Sequence, residues 1–161
     1  PPGIVDTSGI LTLVPIDGRN SFIGYRVSGA IKIQLPQAWS NTMIKLFIEI
    51  YDHYNNESVS LILSGFTPIF GNWYYTSSQI ITSKADRNFA IRYGYHEGNC
   101  FIYIGELNST WSSLKVAVTN IFISNNYDAP SSWLTGWEIS LETSSFQGIT
   151  STQTNNLPVS Q

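Results

Sequence analysis

Between Ile44 and Tyr51 the chain alternates without a break: Ile44, Leu46, Ile48 and Ile50 take one set of positions, and Lys45, Phe47, Glu49 and Tyr51 the other. A two-residue period puts successive side chains on opposite faces of an extended backbone and cannot build the stripe a helix needs. This segment is therefore read as a strand with one wholly aliphatic face. The same period returns in Ile31, Ile33 and Leu35 before Pro36, and in Val59, Leu61 and Leu63 against Ser58, Ser60 and Ile62. The polar stretch from Asp52 to Glu57, with Asn55-Asn56 inside it, joins two of these runs as a hairpin.

Further along, Phe89, Ile91, Tyr93 and Tyr95 share a face and lead to the turn His96-Glu97-Gly98-Asn99, from which Cys100 to Ile104 returns. Leu114, Val116 and Val118 open a strand that continues through Ile123, and Trp137, Ile139 and Leu141 open the last. Residues 65 to 76 read as loop in the first half and strand in the second. Strands recurring roughly every ten to fifteen residues predict an all-β fold of about seven to nine strands, an antiparallel β-sandwich or jelly roll. The expected organisation is an extended N-terminal segment over 1–20, a head domain over 21–142 and an extended polar segment over 143–161. Because the chain begins Pro1-Pro2-Gly3, a fragment is expected, with a fibre shaft joining at the N-terminal side.

At 161 residues one core is the default. Charged residues make up 12% of the chain against about 25% in ordinary soluble domains, so the polar surface is built from Ser, Thr, Asn, Gln and Tyr. A net charge of −3 with scattered cations provides no footprint for a phosphate backbone, and nucleic acid is not an expected partner. Cys100 is the only cysteine, which excludes an intrachain disulfide and a cysteine-based zinc site. No apolar run reaches the length of a membrane-spanning helix, so no membrane insertion is expected.

The segments Gly29 to Pro36, Ile44 to Asp52, Gly94 to Trp111, Lys115-Val116-Ala117-Val118-Thr119, and Trp133 with Gly136-Trp137-Glu138-Ile139-Ser140 occur in that order. Over roughly residues 25 to 142, this order resembles the distal domains of bacteriophage tail-fibre and related virion receptor-binding proteins. The most distinctive part is Cys100-Phe101-Ile102-Tyr103-Ile104-Gly105-Glu106, followed by Trp111. The resemblance implies a β-sandwich on the surface of a virion, normally a homotrimer, that binds a host cell-surface glycan or protein. It also implies contacts with other virion proteins through the N-terminal side. A trimer would be expected to expose an apolar seam around the strands of Ile31 or Ile121.

Candidate receptor contacts are aromatics and amides in turns. His53, Tyr54, Asn55 and Asn56 form one such tip, and Asn125, Asn126, Tyr127 and Asp128 another, although Asn also gathers in turns because it tolerates left-handed backbone. Trp73, Tyr74 and Tyr75 offer flat rings for sugar faces, with core packing of alternate members as the competing reading. Trp39 reads as a loop plug, and Trp133 and Trp137 as anchors of the last strand.

No catalytic residues, cofactor or metal are expected. Glu138, Ser140 and Glu142 share a strand face in a pattern similar to laminarinase-like glycosidases, but Ser140 replaces the central carboxylate. Positions four residues apart lie about 13 Å from each other along a strand, whereas a retaining carboxyl pair needs about 5 to 5.5 Å. His53 and His96 stand in separate turns without calcium- or zinc-loop spacing. A glycan-active enzyme or binding module, and a structural spike or capsid decoration without a ligand, are the rival functions.

Overall fold

A computed structural model describes residues 3–5, 10–22, 26–36, 42–68, 72–83, 89–124 and 130–154. In chain order the strands are β1 (Gly3–Val5), β2 (Ile10–Leu13), β3 (Arg19–Ser21), β4 (Val27–Ser28), β5 (Ala30–Gln34), β6 (Thr42–Asp52) and β7 (Glu57–Thr67). They continue with β8 (Tyr74–Thr82), β9 (Ile91–His96), β10 (Asn99–Ile104), β11 (Thr110–Trp111), β12 (Leu114–Ser124), β13 (Glu138–Glu142) and β14 (Ile149–Gln153). Among the described residues the only helical turns are two 3-10 turns, His53–Asn55 and Pro130–Trp133. The chain is all-β, antiparallel and sandwich-like.

A seven-stranded sheet runs β1-β2-β12-β6-β7-β8, with β3 also paired to β12, and a five-stranded sheet runs β13-β5-β10-β9-β14. Alternation explains why these two faces meet. Ile44, Leu46, Ile48 and Ile50 align with Val59, Leu61 and Leu63 across the β6–β7 hairpin, and Val116, Val118, Ile121 and Ile123 extend the layer. The opposing layer is Ile31 and Ile33 beside Ile102 and Ile104, then Ile91 and Tyr93. All belong to one buried core. Polar cross-links join the sheets at several points: the Tyr93 hydroxyl donates to the Ser77 carbonyl at 2.8 Å, Trp73 Nε1 to the Gly94 carbonyl at 3.0 Å, Asn20 Nδ2 to the Ile139 carbonyl at 2.7 Å and Gln153 Nε2 to the Thr76 carbonyl at 3.0 Å. These polar groups enter the core already partnered, whereas Trp133 Nε1 is buried without a hydrogen-bond partner among the described residues.

Several expectations are adjusted. Among the described residues fourteen strands replace about seven to nine, because β4 and β11 pair as a short ribbon and the segments read as irregular ends join the sheets: β1 and β2 extend the seven-stranded sheet, and β14 pairs with β9. Strand β7 continues to Thr67, beyond the alternation that marked it. Ile31 and Ile121 themselves are fully buried inside the chain, while Phe122, on the same strand as Ile121, is exposed on the opposite face. The Gly94–Trp111 stretch does form a hairpin, with Glu97 and Gly98 both at positive φ as a tight two-residue turn requires. Its return strand β10 is the middle strand of its sheet.

That middle strand is apolar on both faces, and its outer face is covered from within the chain. Strands β13 and β14 lie at opposite edges of the five-stranded sheet, so the six residues between them, 143–148, must cross β5, β10 and β9. The crossing is about 19 Å wide and about 13 Å along the strands, or about 23 Å in all, and seven extended residue steps reach about 24 Å. The link is a taut strap. Phe146 from the strap meets the Tyr103 ring edge-on at 5.0 Å, and the Arg92 guanidinium lies over the Phe146 ring 4.2 Å from its centroid. The Gln147 amide donates to the Tyr103 hydroxyl at 3.4 Å. Gly94 is required beneath the strap, because a Cβ there would stand 2.8 Å from the Gln147 carbonyl oxygen.

Candidate functional site

The tip between β6 and β7 is the best-formed cluster of the expected contact residues. Asp52 and Glu57 close the hairpin, and the 3-10 turn His53–Asn55 ends at Asn56, whose φ of 51° reverses the chain. Three ties fix this shape. The Asn56 amide donates to the His53 carbonyl at 3.1 Å, Asn55 Nδ2 donates to Glu57 Oε1 at 3.2 Å, and the Ser83 hydroxyl from β8's end donates to the Asn56 carbonyl at 3.3 Å. Asp52 is fully buried and accepts the Ser112 and Ser113 amides at 2.8 and 2.7 Å, which ties the base of the hairpin to the start of β12.

On this base the rings stand outward. His53 and Tyr54 lie 4.3 Å apart between centroids, and Tyr51, absent from the expected set, joins them 6.1 Å from His53. Tyr54 is 70% exposed. The arrangement is a rigid aromatic surface flanked by amide groups, suited to stacking and hydrogen bonding. The strict alternation that puts Tyr51 opposite Ile50 was its only signal in the sequence.

The second cluster divides. Trp73 is 3% exposed and packs on Tyr93 at 5.2 Å, so it anchors the segment from the core and offers no contact surface. Tyr74 and Tyr75 are exposed, Tyr75 by 88%. A bulge, in which β8 gains a residue opposite β7, turns Tyr75 outward at a φ of 53°. Positive φ is rare for so bulky a residue and stores strain of order 1 kcal/mol. Gly65, facing the bulge, leaves room for Trp73, whose ring would stand 2.7 Å from a Cβ. In register, Tyr74 pairs with Phe66 at the end of the sheet opposite the His53–Asn56 tip. One chain therefore does not bring the two clusters together.

Tyr127 and Asp128, with Asn125 and Asn126, lie outside the described residues, as does Trp39. Trp133 and Trp137 do anchor the region before β13: Trp137 Nε1 donates to the Trp133 carbonyl at 2.8 Å, and the Asp17 carboxylate accepts the Gly136 and Trp137 amides. Glu142 sits 3.8 Å from Lys32 Nζ and accepts the Ser144 amide, so it is engaged in holding the strap's first residues. Glu138 lies four positions away on the same edge strand. Among the described residues no three His, Cys, Asp or Glu side chains group as a metal site. Burial pushes the Cys100 thiol up to about 12, so it stays protonated and poorly nucleophilic.

The outer face of the seven-stranded sheet is the other unusual surface. In register, its rows are Ser124, Met43, Phe66 and Tyr74; Phe122, Lys45, Ser64 and Ser77; Asn120, Phe47, Ile62 and Gln79; Ala117, Glu49, Ser60 and Ile81; and Lys115, Tyr51 and Ser58. Met43 and Ile81 are each 56% exposed and Phe122 43%. The outer face of a sandwich is ordinarily polar. This one interleaves the apolar side chains Phe122, Met43, Phe47, Ile62, Phe66 and Ile81 with serines and charges.

No family model, curated protein or solved structure matches the chain.

Proposed function

We propose that the chain is the receptor-attachment domain of a virion, at the tip of a tail fibre or spike, and that it binds a host cell-surface glycan or protein without catalysis. The observation that carries this reading is the locked hairpin tip, where Tyr54 and His53 are exposed beside Asn55 and Asn56 on a turn tied down from three sides. A preformed turn loses little freedom on binding, so shallow stacking and amide contacts contribute more of their strength. Single contacts of this kind are weak. Several copies, as in the homotrimer that the resemblance implies, raise the overall strength through effective concentration. Other virion proteins would join at the N-terminal side.

The glycosidase alternative is disfavoured by geometry: Glu142 is held by Lys32 and the Ser144 amide, and Glu138 is about 13 Å away along the strand. The test is adsorption. The intact chain should bind a susceptible bacterial strain and block infection, and Tyr54→Ala should weaken cell binding about ten-fold with unchanged unfolding, as loss of one stacked ring predicts. Absence of both binding and blocking at saturating protein on every strain of a broad panel would overturn the reading in favour of a structural particle component.

A further inference from the structure

We infer that the bare outer face of the seven-stranded sheet is covered by a second copy of this chain, seated face to face about a two-fold axis that runs across the strands along the row of Phe47 and Ile62. The inference rests on the order of side chains on β6. Outward from Phe47 in one direction stand Lys45 and then Met43, and in the other Glu49 and then Tyr51. This order is its own complement. Turning a second sheet over about the Phe47 row brings Lys45 onto the partner's Glu49 twice, once from each copy, and lays Met43 on the partner's Tyr51.

The neighbouring strands obey the same operation. Phe122 falls on the partner's Ala117, a large residue on a small one, and Ser64 falls on the partner's Ser60, which lets the backbones approach at β7. The alternative axis, along the strands beneath β6, would set Lys45 on Lys45 and Glu49 on Glu49 and is opposed by like charge. In the single chain both charges have only light engagements: Lys45 Nζ stands 5.5 Å from the Phe47 ring, and Glu49 Oε1 accepts the Ser60 hydroxyl at 2.6 Å. The four strands of these rows by eight residue steps cover roughly 19 by 27 Å in flat projection, a small contact beside the about 800 Å² per partner of an ordinary stable interface, so the matched charges supply the specificity.

Pairing also changes the candidate site. Reversal about the Phe47 row carries the partner's Tyr74 row to the end where the first chain's Tyr51 row stands, beside its His53–Asn56 tip. The two aromatic clusters that one chain separates would then share an end of the pair. This consequence rests on the attachment reading, whereas the pairing does not.

Light scattering on the full chain tests the pairing without any receptor. The wild type should show an even number of copies: two, or six if a three-fold contact also operates. Lys45→Glu should halve that mass and weaken association at least about 100-fold, because it sets two like-charge contacts against each other. The double variant Lys45→Glu with Glu49→Lys should restore the wild-type mass, which a variant that merely misfolded would not do. A monomer at high concentration, a mass of three chains, or an even mass that Lys45→Glu leaves unchanged would each overturn the inference. Loss of cell binding with the mass behaviour intact would count against the attachment reading alone.

Discussion

The two sheets present opposite solutions to the same difficulty. Each has apolar residues on its outer face as well as its inner one, Phe101 and Tyr103 in the five-stranded sheet and Phe47, Ile62 and Phe122 in the seven-stranded sheet. On the first, the chain folds a six-residue strap across and buries Tyr103 completely. On the second, no described segment crosses, and Met43, Ile81 and Phe122 remain open. An aromatic covered by its own chain contributes to the stability of that chain. An aromatic left open contributes only when something else covers it.

The largest effects should come from the strapped face. Tyr103→Ala removes a fully buried ring and the acceptor for the strap's Gln147 amide, and should cost about 3–5 kcal/mol in urea unfolding. Gly148 has a φ of +61°, and a Cβ there would collide with the Tyr95 carbonyl oxygen. Gly148→Ala should therefore lift the end of the strap and break the Tyr95 amide's bond to the Gly148 carbonyl, at about 2–3 kcal/mol. If either variant left the midpoint unmoved, the strap would not be a structural cover.

A pH titration separates core and cover more gently. Burial raises the Cys100 thiol from 9.0 to about 12, and raises the Tyr93 and Tyr103 hydroxyls as well. The folded state holds these protons to higher pH than the unfolded chain does. Their contribution is thus fully present below about pH 9 and is lost as pH rises above it, by at most about 1.4 kcal/mol per pH unit for each group. Urea midpoints should be level from about pH 7 to about pH 9 and fall beyond; a midpoint that rises above about pH 9 would contradict the burial. The smallest effect on stability belongs to the bare face. Phe122→Ser should change dilute unfolding by no more than about 0.5 kcal/mol, yet reduce self-association measured by sedimentation.

Much of this frame was legible in residues such as Ile44 to Tyr51, because long alternation against a buried layer leaves one register open. Cys100 to Ile104 is apolar on both faces, Phe101 and Tyr103 on one and Cys100, Ile102 and Ile104 on the other, as suits the middle strand of a covered sheet. The source of its cover was not legible: Phe146 stands alone in a Ser- and Thr-rich stretch and acquires meaning only when β14 pairs with β9, more than fifty residues earlier in the chain. Strand β14 itself, Ile-Thr-Ser-Thr-Gln, carries too little apolar alternation to announce a strand. Of the site, the His53–Asn56 tip followed from turn chemistry. The division between Trp73 and its two tyrosines did not, since a one-residue bulge decides which ring faces out. That the two clusters lie at opposite ends of the sheet depends on β7 running unbroken to Thr67 between them, through residues whose sequence reads as loop.

The contrast between the faces is most directly tested by hydroxyl-radical footprinting of the intact chain, read by mass spectrometry at Met43, Phe122 and Tyr103, in dilute and in concentrated solution. The structure predicts that Tyr103 is protected in both, while Met43 and Phe122 are oxidised when dilute and become protected as copies meet. Equal oxidation of Met43 and Phe122 at both concentrations, or oxidation of Tyr103 as rapid as theirs in the folded chain, would contradict the account.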